Sequence, residues 1–105
     1  NRIQKVLSHI RKNIYKTVDI DSLAAISCLS KDHFIRLFKK EVGTTPLQYI
    51  NQKKIEKAQL ILITEDIPVK NIAYLLAYED HSYFNRLFKK TTDVTPQQYR
   101  ELYKK

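Results

Sequence analysis

Apolar residues recur along this chain with the period of an α-helix. Ile3, Val6, Leu7, Ile10 and Ile14 stand at i, i+3, i+4, i+7 and i+11, opposed by Arg2, Lys5, Arg11 and Lys12. That period predicts an amphipathic helix over 2–15. Leu23, Ala24 and Ile26 form the apolar side of a short helix at 20–27, with Asp19 or Asp21 as its N-cap. Phe34, Leu37 and Phe38, continued by Val42, mark a helix over 31–41. Its other face, Asp32, Ile35, Arg36 and Lys39, is expected to point away from the core. The helix expected at 81–91 repeats the arrangement, with Phe84, Leu87 and Phe88 inward and Ser82, Asn85, Arg86 and Lys89 outward. Between them, Ile50, Ile55, Ala58, Ile61 and Leu62 line a long helix over 46–63, leaving Lys53, Lys54 and Lys57 to solvent or phosphate. Helices at 69–76 and 96–104 complete a set of seven.

The chain also repeats itself. Residues 31–49 and 81–99, aligned at an offset of 50, share ten identities in nineteen, including Arg36-Leu37-Phe38-Lys39-Lys40 against Arg86-Leu87-Phe88-Lys89-Lys90. This is an internal duplication. It extends to Thr45-Pro46 and Thr95-Pro96, each followed by Gln three residues after Thr. Thr caps, Pro takes the first helical position and Gln closes a capping box, so both are helix starts. Upstream, Leu23-Ala24 matches Ile72-Ala73 at an offset of 49, so the second copy has gained one residue before its Phe84 helix. Each copy reads as a short helix, a tight turn and a helix with a polar, basic face. A helix-turn-helix that lays a recognition helix in a major groove needs those parts.

Composition agrees with an all-α fold, since one glycine and three prolines in 105 residues are too few for the hairpins of an all-β domain. Nineteen Lys and Arg against eleven Asp and Glu leave a formal net charge of +8, which points to an anionic partner. The single cysteine, Cys28, excludes an internal disulfide and a multi-cysteine metal site; between apolar neighbours it reads as a packing residue. His9, His33 and His81 are scattered and add no ligand cluster, so no metal and no cofactor are expected. Nor is an enzyme, because there is no phosphate-cradling glycine loop and no nucleophile with a base and an orienting partner. No apolar run approaches the roughly 18 residues of a membrane span, and the N-terminus lacks a signal-peptide core. A cytoplasmic protein is therefore expected. The sequence holds no methionine, even at position 1, and is expected to be part of a longer protein.

The tandem pattern resembles a known family. Its residues are Ser30, Phe34-x-Arg36-Leu37-Phe38-Lys39-Lys40, Thr45-Pro46-x-x-Tyr49-Ile50, Ala58, Ile72-Ala73, Ser82-Tyr83-Phe84-x-Arg86-x-Phe88-Lys89-Lys90 and Thr95-Pro96-x-x-Tyr99-Arg100. They are similar to the DNA-binding domain of bacterial AraC/XylS-type transcriptional regulators over nearly the whole chain. The resemblance implies two helix-turn-helix subdomains, about 1–45 and 64–105, joined by the linker helix 46–63. Recognition helices 31–41 and 81–91 would enter neighbouring major grooves. It further implies double-stranded DNA and RNA polymerase as partners, and an N-terminal sensory or receiver domain in the same protein. The family's turn glycines are replaced by Cys28 and Ala77, and the glycine after the second recognition helix by Asp93. Asp tolerates positive φ better than most residues.

The face of each recognition helix supplies the site residues. Arg36 and Arg86 have bidentate capacity for guanine O6 and N7, against the plainer reading of surface ion pairs with Asp32 or Glu79. Asn85 suits an adenine edge, Ser82 either base and Ile35 a thymine methyl. Asp32 accepts from a cytosine amino group or serves as a cap beside Ser30, and His33 and His81 are groove-edge or solvated residues rather than metal ligands. Lys31, Lys39, Lys40, Lys89 and Lys90 are expected on phosphates. Tyr49 and Tyr99 are expected in the core. The alternative function is nonspecific binding of RNA or DNA by a nucleoid-type structural protein, which would use the lysines but not Asn85 or Ile35.

Overall fold

The structure, a computed structural model, describes residues 1–104. Its helices are α1 (Arg2–Lys12), α2 (Ile20–Ser27), α3 (Lys31–Val42), α4 (Pro46–Thr64), α5 (Val69–Leu75), α6 (His81–Thr92) and α7 (Pro96–Tyr103), with no strand among the described residues. They form two compact units, Asn1–Lys53 and the residues from Lys54 onward. The division falls inside α4, so this helix supplies a wall to each unit.

In the first unit, α1 begins where Asn1 Oδ1 accepts from the backbone N–H groups of Ile3 and Gln4, at 2.8 and 3.3 Å. It stops three residues short of the expected end. The backbone N–H and the side-chain amide of Asn13 both turn back to the His9 carbonyl, at 3.1 and 2.8 Å. An Asn side chain competing for backbone groups in this way ends a helix, and Ile14 falls in the turn beyond it. Asp19 rather than Asp21 caps α2, accepting from Ser22 N at 2.8 Å. Those bonds from Ser22 hold the Asp19 carboxyl below its usual range. The core joins Ile3, Val6 and Ile10 of α1, Leu23 and Ala24 of α2, Phe34 and Phe38 of α3 and Ile50 of α4. Phe38 meets Phe34 and Tyr49 edge-on, at centroid distances of 5.8 and 5.7 Å. Each fully buried phenylalanine contributes about 1.5–3 kcal/mol of burial.

The second unit is built on the same plan. Ile55, Ala58 and Leu62 on the C-terminal half of α4 pack with Ile72, Ala73, Phe84 and Phe88. They repeat Ile3, Val6 and Ile10 at an offset of 52. The second half of α4 thus does in this unit what α1 does in the first. Tyr99 of α7 sits edge-on to Phe88 at 5.6 Å, as Tyr49 does to Phe38. Both Thr-Pro starts carry the reciprocal capping bonds, Thr45 with Gln48 at 3.1 and 3.2 Å and Thr95 with Gln98 at 2.9 and 3.1 Å.

Two polar side chains stitch the second unit together. The Arg100 guanidinium donates to the carbonyls of Leu62, Glu65 and Ile67, at 3.0, 3.1 and 2.7 Å, fastening α7 to the chain that leaves α4. Lys54, expected to meet solvent or phosphate, is instead buried and donates to the carbonyl of Leu76.

Candidate nucleic-acid interface

Each unit holds a helix-turn-helix whose turn is closed by backbone bonds. After α2, Cys28 N bonds Ala25 O at 3.1 Å and Leu29 N bonds Ala24 O at 3.2 Å. After α5, Ala77 N bonds Tyr74 O at 2.9 Å and Tyr78 N bonds Ala73 O at 3.0 Å. Both are Schellman closures, which require a left-handed residue just past the helix. Cys28 and Ala77 supply it at φ of 61° and 66°. The next residues, Leu29 and Tyr78, pack against their cores and anchor the turns. Cys28 itself is exposed, not packed, because its left-handed backbone carries the side chain outward. The second turn has the extra residue read from the sequence: Ser30 caps α3, whereas Glu79 precedes the cap Asp80 of α6.

The two second helices present matching rows. On α3, Lys31, Asp32, Arg36, Lys39 and Lys40 are exposed; on α6, Ser82, Arg86, Lys89 and Lys90 are. Four of the lysines lie in the last turns, where their charge also suits the negative end of the helix dipole. Among the described residues, no ion pair ties Arg36 to Asp32 or Arg86 to Glu79. Lys31 lies 3.7 Å from Asp21 in an exposed pair; such pairs are weak and screened by salt. Ser30 makes the capping bond of α3, to His33 N, and Asp32 stands exposed in the first turn.

Three expected site residues sit differently from the outward row. Ile35, expected to face away from the core, is half-buried and packs against it. Asn85, its equivalent on α6, is half-buried too. Both stand one helical position before the arginines and lie on the shoulder of the apolar stripe rather than opposite it. His81 is half-buried, its ring edge-on to Tyr74 at 6.4 Å. Tyr83, part of the motif but not among the expected site residues, is exposed next to Ser82, with its ring 6.0 Å from that of Tyr78. The signal was available, since position 83 and its equivalent His33 both fall outside the Phe stripe. Burial and the neighbouring Tyr83 hold the Tyr78 phenol above its usual range.

Among the described residues, no three His, Cys, Asp or Glu side chains converge to hold a metal. No helix of the described chain is long and apolar enough to cross a membrane.

Comparison with known proteins bears on this geometry. A family model described as Helix-turn-helix domain matches residues 23–102. The MmsAB operon regulatory protein of Pseudomonas aeruginosa is 34% identical over 94 residues, covering 90% of this chain and 31% of that protein. The arabinose operon regulatory protein of Escherichia coli is 30% identical over 86 residues, 81% of this chain and 30% of that protein. The chain therefore spans about a third of the length of these curated relatives. Among solved structures, the C-terminal domain of AraT, a response regulator from Geobacillus stearothermophilus, superposes with a TM-score of 0.93 at 26% identity, covering 99% of this chain and 87% of that one. The DNA-binding domain of AdpA, solved with a target DNA, shares the fold with a TM-score of 0.92 at 24% identity, over 97% and 92% of the two chains.

Proposed function

This chain belongs to the AraC/XylS-type family of transcription-regulator DNA-binding domains, not to an enzyme family, and from that premise we propose how it binds. α3 and α6 are its two readers, each entering the major groove of double-stranded DNA, in neighbouring grooves of one site. One observation carries the reading. The duplicated exposed rows, Arg36 with Lys39 and Lys40 and Arg86 with Lys89 and Lys90, sit on the second helix of each helix-turn-helix. There, arginine pairs with guanine and lysine with phosphate.

Base contact is assigned to Arg36, Ser82, Asn85 and Arg86, with Asp32, Ile35 and His81 at the margins of the readers. Phosphate contact is assigned to Lys31, Lys39, Lys40, Lys89 and Lys90. The two helix-turn-helix subdomains are the two compact units, each taking part of α4, which links them. The chain acts as the output portion of a longer cytoplasmic regulator, behind an N-terminal sensory or receiver domain, and RNA polymerase is a further partner. Relatives named as operon regulators and about three times as long support that placement.

The experiment is selection of bound sequences from a random double-stranded DNA library by this chain alone. A two-part motif is expected. Enrichment without a motif would support the nonspecific, nucleoid-type reading instead.

A further inference from the structure

The two readers differ in chemistry at a half-buried pair of equivalent positions on the shoulder of the apolar stripe. Unit one has Ile35, a half-buried apolar side chain packed on its core, and unit two has Asn85, half-buried on the same shoulder of α6. The Asn85 amide is split by this placement. Its Oδ1 is buried and has no hydrogen-bond partner, whereas Nδ2 is not among the buried unpartnered atoms and makes no hydrogen bond among the described residues. Since the residue is only half-buried, Nδ2 is the end that meets the solvent. This is also the less costly orientation. Turning the amide over would bury two N–H donors in place of one acceptor, and an under-satisfied carbonyl is better tolerated than an orphaned N–H. At the equivalent place in unit one an isoleucine fills the inward side, so an apolar setting suits this position.

We propose that Asn85 is a donor-only reader that prefers a base with a keto oxygen, guanine or thymine, over one that presents an amino group, adenine or cytosine. The inference rests on the DNA reading above and names what one residue of that site recognises. Bidentate bonding to adenine, which the residue type alone suggested, needs Oδ1 and Nδ2 together at N6 and N7. With Oδ1 turned inward only the Nδ2-to-N7 half of that recognition is left, and the adenine amino group beside N7 would face an amide donor. Two opposed donors leave both unpaired and desolvated, which disfavours the contact. Guanine instead offers O6, and thymine O4, to a proton of Nδ2, with no opposed amino group at that edge. The inward carbonyl fixes which edge of the amide the groove meets, and so Asn85 adds a base preference that Ile35 cannot supply in unit one.

The test uses base analogues in the site selected by the parent chain. Asn85→Ala first identifies the one position whose preference relaxes. At that base pair, replacing the keto oxygen by hydrogen is expected to weaken the parent roughly five- to tenfold and to leave Asn85→Ala unaffected. Removing the amino group of the pairing partner is expected to change neither. If the loss follows the amino group instead, or if no position relaxes although the parent still enriches a motif, the donor-only assignment is overturned while the DNA reading stands. A parent chain that enriches no motif overturns the DNA reading itself, and this assignment with it. Should Asn85→Ala lower the folded fraction, Asn85→Ile, which takes the side chain of the equivalent position, makes the same comparison.

Discussion

The ammonium of Lys54, midway along α4, donates to the main-chain carbonyl of Leu76, the residue that caps α5. It also lies 5.7 Å from the centroid of the Tyr78 ring. A buried lysine is thus fixed on the first helix-turn-helix residue after α5, satisfying a carbonyl that a helix end leaves open. Burial pushes Lys54 from 10.5 down to about 8. Below pH 8 the lysine is charged in both the folded and unfolded states, and the cost of burying that charge is present in full. Between about pH 8 and 10.5 the unfolded chain holds a proton that the folded chain has lost, so stability attributable to Lys54 rises with pH. Lys54→Met removes the group while keeping much of its volume. Urea unfolding of parent and variant across this range is expected to show the difference moving in the parent's favour as pH rises; a flat difference would contradict the burial of the amine.

Strain at the turns makes a second prediction. Ala77 stands at φ 66° in a position that the Schellman closure demands. A left-handed residue with a Cβ costs about 1–2 kcal/mol, partly offset against glycine by glycine's greater freedom in the unfolded chain. Ala77→Gly is expected to raise stability by about 0.5–1 kcal/mol and the melting temperature by a few degrees. Ala77→Val should lower both, because a β-branched residue is least tolerant of positive φ. Thermal melts followed by circular dichroism decide it, and a stabilising valine would refute the strain.

The helices were legible in the sequence because their signals are local. Phe34, Leu37 and Phe38 carry the 3.6-residue period, and Thr45-Pro46 and Thr95-Pro96 carry the caps. What the sequence hid were contacts made at a distance. Lys54 reads as a solvent-facing lysine until Leu76, 22 residues on, is brought beside it. Ile35 and Asn85 read as outward because the stripe through Phe34 and Phe38 was drawn too narrow, and a position on its shoulder is neither in nor out by period alone. Ile14 continues the α1 stripe, but the period carries no record of the Asn13 amide that ends the helix. The repetition of α1 by the second half of α4 was missed because its offset, 52, differs from the 50 that aligns the readers.

Arg100 gives a third prediction. It belongs to the motif through which the chain resembles its family, yet its guanidinium is spent on three carbonyls inside unit two. Hydrogen bonds from a charged group contribute about 1.5–3 kcal/mol, so Arg100→Ala is expected to destabilise the fold by that order. Arg100→Lys should recover only part of the loss, since an ammonium lacks the planar fork. Neither change should alter the selected DNA motif. An altered motif at unchanged stability would place Arg100 on DNA instead.

The last prediction separates core, base contact and phosphate contact on one helix. Phe84 and Arg86 stand two residues apart on α6, the first fully buried and the second exposed. Phe84 packs against Tyr78 and Phe88 at 5.4 and 5.9 Å, and Phe84→Ala is expected to cost about 3–5 kcal/mol of folding stability by emptying that contact. Arg86→Ala should leave the melting temperature in place. Its cost should fall on binding, about 1–3 kcal/mol on the selected site with relaxed preference at one base. Lys89→Ala should weaken selected and scrambled DNA alike and lower the slope of affinity against salt by about one ion. Binding isotherms for the three variants at two salt concentrations, beside their melts, test the whole assignment. If Arg86→Ala lowers the melting temperature and spares affinity, its guanidinium is a structural group, and the base-reading row on α6 loses its central member.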